Sequence, residues 1–230
     1  WRSGAQGRGS LDGSLGWAGE PQLDLRLHGS RLPLVVEPYA QLEADPDLRL
    51  SLRERRLLVG GQLAVPRGQI KVRELPAQAV KVSDDAQVVG APAPHSALPG
   101  VQLDVRLLLG AERLRFSGFG LDADLRGSLQ VKDNLDSRGT LQLDNGRYRA
   151  YGQRLTLRRA RLIFAGPIDQ PLLDIEAVRT VDEVTAGLRL SGRADAPVNE
   201  VFAEPSMPQQ QALSYLVLGR APSTGNESNM

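Results

Sequence analysis

Cysteine is absent from the 230 residues, and the two histidines, His28 and His95, lie far apart. A thiol nucleophile is excluded, and a zinc site has too few ligands of the usual kind. Aromatic residues make up 4% of the chain, too few for a platform on which unpaired bases stack. Charge of one sign is also missing, since 28 Lys+Arg face 27 Asp+Glu for a net charge of +1. Neutralising phosphates needs a one-sided basic excess, so nucleic acid is not an expected partner. No stretch reaches the roughly 18 consecutive apolar residues of a membrane-spanning helix. The N-terminus, Trp1-Arg2-Ser3-Gly4, has neither an initiator methionine nor a charged-then-apolar signal region, and reads as part of a longer chain.

What is present is strict alternation. Leu23-Asp24-Leu25-Arg26-Leu27, Leu48-Arg49-Leu50-Ser51-Leu52, and Val101-Gln102-Leu103-Asp104-Val105-Arg106-Leu107 place apolar residues two apart. Leu11, Gly13, Leu15 and Trp17 share one parity, and Leu129-Gln130-Val131, Leu141-Gln142-Leu143, Leu155-Thr156-Leu157 and Leu188-Arg189-Leu190 continue the pattern. Side chains of a strand alternate between faces, so this pattern predicts a sheet with one apolar and one polar face. The turn signals Pro66-Arg67-Gly68 and Asn145-Gly146 predict tight hairpins, and their repetition predicts an antiparallel meander. Gly61–Ile70 and Gly139–Tyr148 share a degenerate Gly-x-Leu repeat, as expected of a sheet extended by similar hairpins.

Two segments break the alternation. Three Pro and two Gly in 83–100 predict a loop excursion, taken as 81–100. From Ser206, a candidate cap, through Pro208 to Gly219 the chain predicts a short amphipathic helix over 206–220, with Leu213, Leu216 and Val217 on one face. Residues 221–230 are small and polar and predict a disordered tail. The groove strands then divide into 1–80 and 101–205. Asp45/Asp47 and Asp84-Asp85 read as solvated turn carboxylates. His95 has no carboxylate near it in sequence, and Ser214 lacks the Gly-x-Ser-x-Gly of a nucleophile elbow. No catalytic residue, metal or cofactor is expected. Arg158-Arg159 and Arg53–Arg56 read as solvated strand edges and turns.

An apolar sheet face must be covered by a second sheet, by barrel closure or by helices, and only one short helix is available. A sandwich, a barrel, or a curved sheet whose apolar face is a groove all satisfy the pattern. A resemblance favours the last. Gly146-Arg147-Tyr148-Arg149-Ala150-Tyr151-Gly152-Gln153, Leu162-Ile163-Phe164-Ala165-Gly166-Pro167, Pro171-Leu172-Leu173-Asp174-Ile175-Glu176-Ala177-Val178-Arg179, Ala186–Gly192 and Phe202–Gly219 occur in that order. This string resembles the C-terminal conserved region of the TamB family, the translocation and assembly module proteins of diderm bacteria. The likeness runs from about Val101 to Arg220 and weakens toward the N-terminus. Ala160 stands at a position read as a tight turn, where the family usually has Gly.

The resemblance implies an all-β, elongated, curved antiparallel sheet folded into a U-shaped, taco-like hydrophobic groove, with one short C-terminal helix. It implies a non-enzymatic periplasmic lipid conduit, anchored in the inner membrane and docking on the outer-membrane barrel protein TamA through regions outside this stretch. Phospholipid acyl chains are the implied cargo. An alternative makes nascent outer-membrane proteins the clients, assisted by β-augmentation. The expected lining is Leu103, Val105, Leu107, Leu141, Leu143, Leu155, Leu157, Leu188 and Leu190, with the helix through Leu213, Leu216 and Val217 as plug or cap.

Overall fold

The computed structural model describes residues 2–3, 7–17, 21–53, 56–72 and 100–221. The alternation becomes thirteen strands of one sheet: β1 (Arg2–Ser3), β2 (Gly7–Gly16), β3 (Gln22–Ser30), β4 (Leu32–Val36), β5 (Ala40–Arg53), β6 (Arg56–Lys71), β7 (Val101–Gly118), β8 (Leu121–Lys132), β9 (Asp136–Ala150), β10 (Gln153–Pro167), β11 (Leu172–Val181), β12 (Val184–Arg193) and β13 (Val198–Glu204). The helix α1 (Gln209–Leu218) follows. Neighbours in sequence are neighbours in the sheet, with β3 and β4 lying end to end along β5. Among the described residues the sheet is curved and does not close, since β13 at one edge pairs only with β12. The expected 81–100 excursion, Gly100 apart, and the expected 221–230 tail, Ala221 apart, lie outside the described residues.

The meander has one exception. β6 and β7 run parallel from Leu57↔Val101 to Lys71↔Ser117. Parallel neighbours need a crossover of a dozen or more residues, and the chain between Val72 and Gly100 spans that return.

Neither predicted hairpin turn is a turn. Pro66-Arg67-Gly68 lies inside β6 and Asn145-Gly146 inside β9. Both mark places where the ladder slips: Glu43/Asp45 on β5, Val65/Arg67 on β6, Leu109/Arg115 on β7, Asp122/Asp124 on β8 and Leu157/Arg159 on β10. Between β9 and β10 pairing lapses from Arg147↔Thr156 to Gln142↔Arg161. These irregularities line up across successive strands as a transverse crease. A bulge needs the same residues a turn needs, a Gly or a residue tolerating positive φ, and bends the strand that carries it. Asn145, with φ 49°, supplies that conformation on β9. Ala160, read from the sequence as lying in a turn, is buried mid-strand on β10 opposite Ile175.

Two of the observed hairpins turn at Phe119-Gly120 and Tyr151-Gly152. Each is a two-residue loop with both φ positive (52° and 75° in each case). That is the backbone usually written Asn-Gly, here carrying an aromatic residue at its first position.

Candidate functional site

Register places the apolar residues of successive strands side by side on one face. One row crosses the sheet as Leu11, Leu27, Leu48, Gly61, Val105, Val131 and Ser137. Another runs Val65, Leu109, Gly127, Leu141, Leu162 and Leu173. Glycines punctuate these rows because curvature crowds the face. At Gly127, with φ +140°, an added Cβ would overlap the Thr140 carbonyl oxygen and sit 3.0 Å from Leu141 Cα.

The face changes character along the sheet. At the N-terminal edge Leu11, Leu15 and Trp17 are 53%, 58% and 77% exposed, and Leu23, Leu25 and Leu27 beside them are half-buried. Around the crease the same face is packed, with Val65, Leu114, Ala123, Leu125, Leu141, Leu143, Ala160 and Ile175 buried together. Of the expected lining, Val105, Leu141, Leu143, Leu155 and Leu188 are buried, while Leu103, Leu107, Leu157 and Leu190 keep partial exposure. All nine lie on strands whose apolar rows are continuous, but they divide between two packed clusters, one centred on Leu141 and Leu143 and one on Leu155 and Leu188, with Val105 outside both. The apolar residues of β2 and β3 on this face are absent from the sequence-derived set, although their period-two spacing is as regular as that of β7.

The helix packs on β11, β12 and β13. Leu216 sits with Leu155, Ala177, Ala186 and Leu188, which places α1 on the apolar face. Its buried positions are Ala212, Ser214 and Leu216. Leu213 is 39% exposed and Val217 half-buried, so the expected stripe is turned toward the smaller residues, which let the helix approach the sheet. Pro208, not Ser206, occupies the cap position, and no side chain caps the end. Arg179 donates a hydrogen bond from its guanidinium to the Leu216 carbonyl (3.2 Å), placing a cation at the helix C-terminus where the dipole favours it. The Ser214 hydroxyl donates to the Arg220 carbonyl (2.8 Å).

The opposite face is held by charge. The slip between Leu157 and Arg159 turns both Arg158 and Arg159 outward on β10, which is an interior strand and not an edge. Both reach Glu176, with Arg158 hydrogen-bonded to it and Arg159 at 3.7 Å, and Arg189 adds a contact at 3.2 Å. Arg158 continues to Glu204 (2.8 Å) and Arg189 to Glu200 (3.0 Å), so the network spans β10 to β13. Both guanidinium groups lie over the Phe202 ring, at 5.5 and 4.8 Å from its centroid. Burial pushes the Glu176 carboxyl up, but the hydrogen bonds from Arg158 and Arg189 outweigh it and hold the group below its ordinary value. A second chain, Arg31–Glu112 (3.4 Å) and Arg67–Glu43 (2.6 Å), lies at the crease, with Arg67 3.9 Å from Glu112 across the parallel seam.

Among the described residues no group of three His, Asp or Glu could hold a metal ion, and no helix is long and apolar enough to cross a membrane. Hydrophobic contact is non-directional, so this face can shield alkyl chains without any particular polar partner.

A family model described as the TamB C-terminal domain matches residues 2–230. The "Translocation and assembly module subunit TamB" of Haemophilus influenzae is 31% identical over 241 residues, covering 95% of this chain and 18% of its own length. The chain thus spans only a small part of the relative it matches.

Proposed function

This chain belongs to the TamB family, and from that premise we propose that it is a segment of a conduit carrying phospholipid acyl chains along an apolar β-groove between two membranes. The observation that carries the reading is the unbroken apolar face, exposed at Leu11, Leu15 and Trp17 and continuous in register with Val105 and Val131. Each methylene sheltered from water contributes about 0.8 kcal/mol, so one acyl chain held along the face offsets most of its cost of leaving a bilayer. The expected lining from Leu103 to Leu190 is part of the proposed path, and Leu15, Leu23, Leu25 and Leu27 extend it toward the N-terminal edge. In this reading the chain works in the periplasm, as part of a protein anchored in the inner membrane and joined to TamA at the outer membrane through regions beyond this stretch. The reading needs no catalytic step.

The test is photo-crosslinking in cells from probes at Leu15, Leu25 and Leu103, with Arg26 on the opposite face as control. Lipid adducts at the apolar positions and none at Arg26 are expected. Protein adducts alone would instead favour a role in assisting nascent outer-membrane proteins. The feature that supports this second reading is the outer edge of β13, which pairs with no further strand among the described residues and can receive one.

A further inference from the structure

Three arginines at one end of the sheet lack the partners that hold the arginines of the outer-face network. Arg147 and Arg149 on β9 and Arg154 on β10 point to the outer face, opposite to Tyr148 and Leu155. Among the described residues their side chains have no hydrogen bond and no ion pair. Arg149 and Arg154 are direct cross-strand partners, and like charges placed opposite one another in a sheet are destabilising. Together with Arg115, Gly120, Asp122 and Asn145 they line a concavity of about 430 Å³. Its one carboxylate is already engaged: Asp122 is paired with Arg115 and accepts a hydrogen bond from the Ser117 hydroxyl (2.8 Å). The Asn145 side-chain amide is directed to Asp124. The hollow therefore keeps the positive charge of Arg147, Arg149 and Arg154 uncompensated.

The hairpin tips beside the hollow are the two aromatic turns. Phe119 and Tyr151 are 60% and 57% exposed, and each holds a φ of 52° that bulky residues rarely adopt. The tips flank the hollow, because the Arg149 amide donates to the Gly120 carbonyl (2.9 Å) and Tyr151-Gly152 joins Arg149's strand to Arg154's. Two exposed aromatic residues beside three unpaired guanidinium groups match the boundary between headgroup and acyl chain, where aromatic rings sit at the interface and arginine forks engage phosphate. On the inner side of the same strands lie Tyr148 and Leu155, in the cluster beneath α1.

We propose that Arg147, Arg149 and Arg154 form an anion site for the phosphate headgroup of a glycerophospholipid, with Phe119 and Tyr151 against its glycerol shoulder, at the lip of the groove. This inference rests on the groove reading and names the headgroup chemistry that the groove alone leaves open. It predicts that cargo enters or leaves at this lip with its headgroup on the outer face and its chains turned over the hairpin tips.

The test compares the whole 230-residue chain with a triple variant, Arg147→Gln, Arg149→Gln and Arg154→Gln. Native mass spectrometry from detergent is run with dioleoyl phosphatidylglycerol and, separately, with dioleoylglycerol, and inorganic phosphate is titrated by NMR. The side chains removed have no partners among the described residues, so folding is expected to be retained, checked by the melting temperature of the variant. The expected result is that the chain prefers the phospholipid over the phosphate-free lipid by about tenfold, as charge-assisted hydrogen bonds imply, and that the variant loses this preference while still binding dioleoylglycerol. Equal binding of both lipids by both proteins overturns the headgroup site and leaves the groove standing. Binding of neither lipid with retained phosphate binding overturns the headgroup assignment in favour of a free-phosphate site. Binding of none of the three overturns both readings.

Discussion

Glu176 shows how a single side chain holds three strands, β10, β11 and β12. It is nearly buried, and three arginines from β10 and β12 converge on it. Its folded-state value lies below the ordinary 4.5, so its stabilisation is complete above that value and is lost as pH falls through the lower folded one. Glu204, hydrogen-bonded by Arg158, is lowered as well and adds to the same acid limb. The melting temperature is therefore expected to be flat from neutral pH to about 5 and to fall below the carboxylate range. Glu176→Gln should cost about 1–3 kcal/mol at neutral pH, the lower part of that range because the arginines are half-exposed, and should flatten the acid limb; chemical denaturation across pH reads both effects. Gly127 is the steric counterpart. Gly127→Ala forces a Cβ onto the Thr140 carbonyl and should cost about 2–3 kcal/mol, with the loss of amide protection centred on the β8–β9 pairing.

Strands were the legible element and their interruptions were not. Period two marks each strand from β2 to β12, yet the same Gly- and Asn-containing motifs serve turns and bulges alike. At Pro66-Gly68 and Asn145-Gly146 the neighbouring strands, invisible in a local window, decide for the bulge. The true turns at Phe119 and Tyr151 carry no turn residue at their first position and gave only a trailing Gly as a signal. The helix was legible in extent but not in orientation, since Ala212 and Ser214 count for little on a hydrophobicity scale and are nonetheless buried with Leu216. Leu216→Asp tests the docking: an unpaired carboxylate against Leu155 and Ala177 should cost about 3–5 kcal/mol. Amide exchange is expected to quicken in 209–218 while 186–192, hydrogen-bonded to strands on both sides, stays protected. Spread of fast exchange into β12 would show that the helix is needed for the sheet edge itself.

At the scale of the whole molecule, alternation announced an apolar face, whereas the exposure of that face depends on curvature, which no single strand encodes. Leu25 and Leu143 have the same sequence signature, yet Leu25 is half-buried on the open end and Leu143 is 4% exposed at the crease. Leu25→Arg should accordingly leave the melting temperature nearly unchanged and abolish lipid crosslinks at Leu15, while Leu143→Arg should unfold the sheet around it before any effect on cargo can be read. The parallel seam carries a further consequence. Among the described strands every other pairing joins sequence neighbours, except that β3 pairs β5 past β4, so β1–β6 and β7–α1 are each wired locally, and the β6–β7 zipper joins two strands far apart in the chain. Proteins rich in local contacts fold fast, and long-range parallel pairing comes late. The chain should then fold as two quick hairpin stacks followed by one slow docking event, and severing the backbone between Val72 and Gly100 should make that event bimolecular without abolishing it. Fragments 1–72 and 100–230, mixed, would reassemble along the seam at a rate proportional to their concentration, a bimolecular docking that the parallel register from Leu57↔Val101 to Lys71↔Ser117 alone would guide.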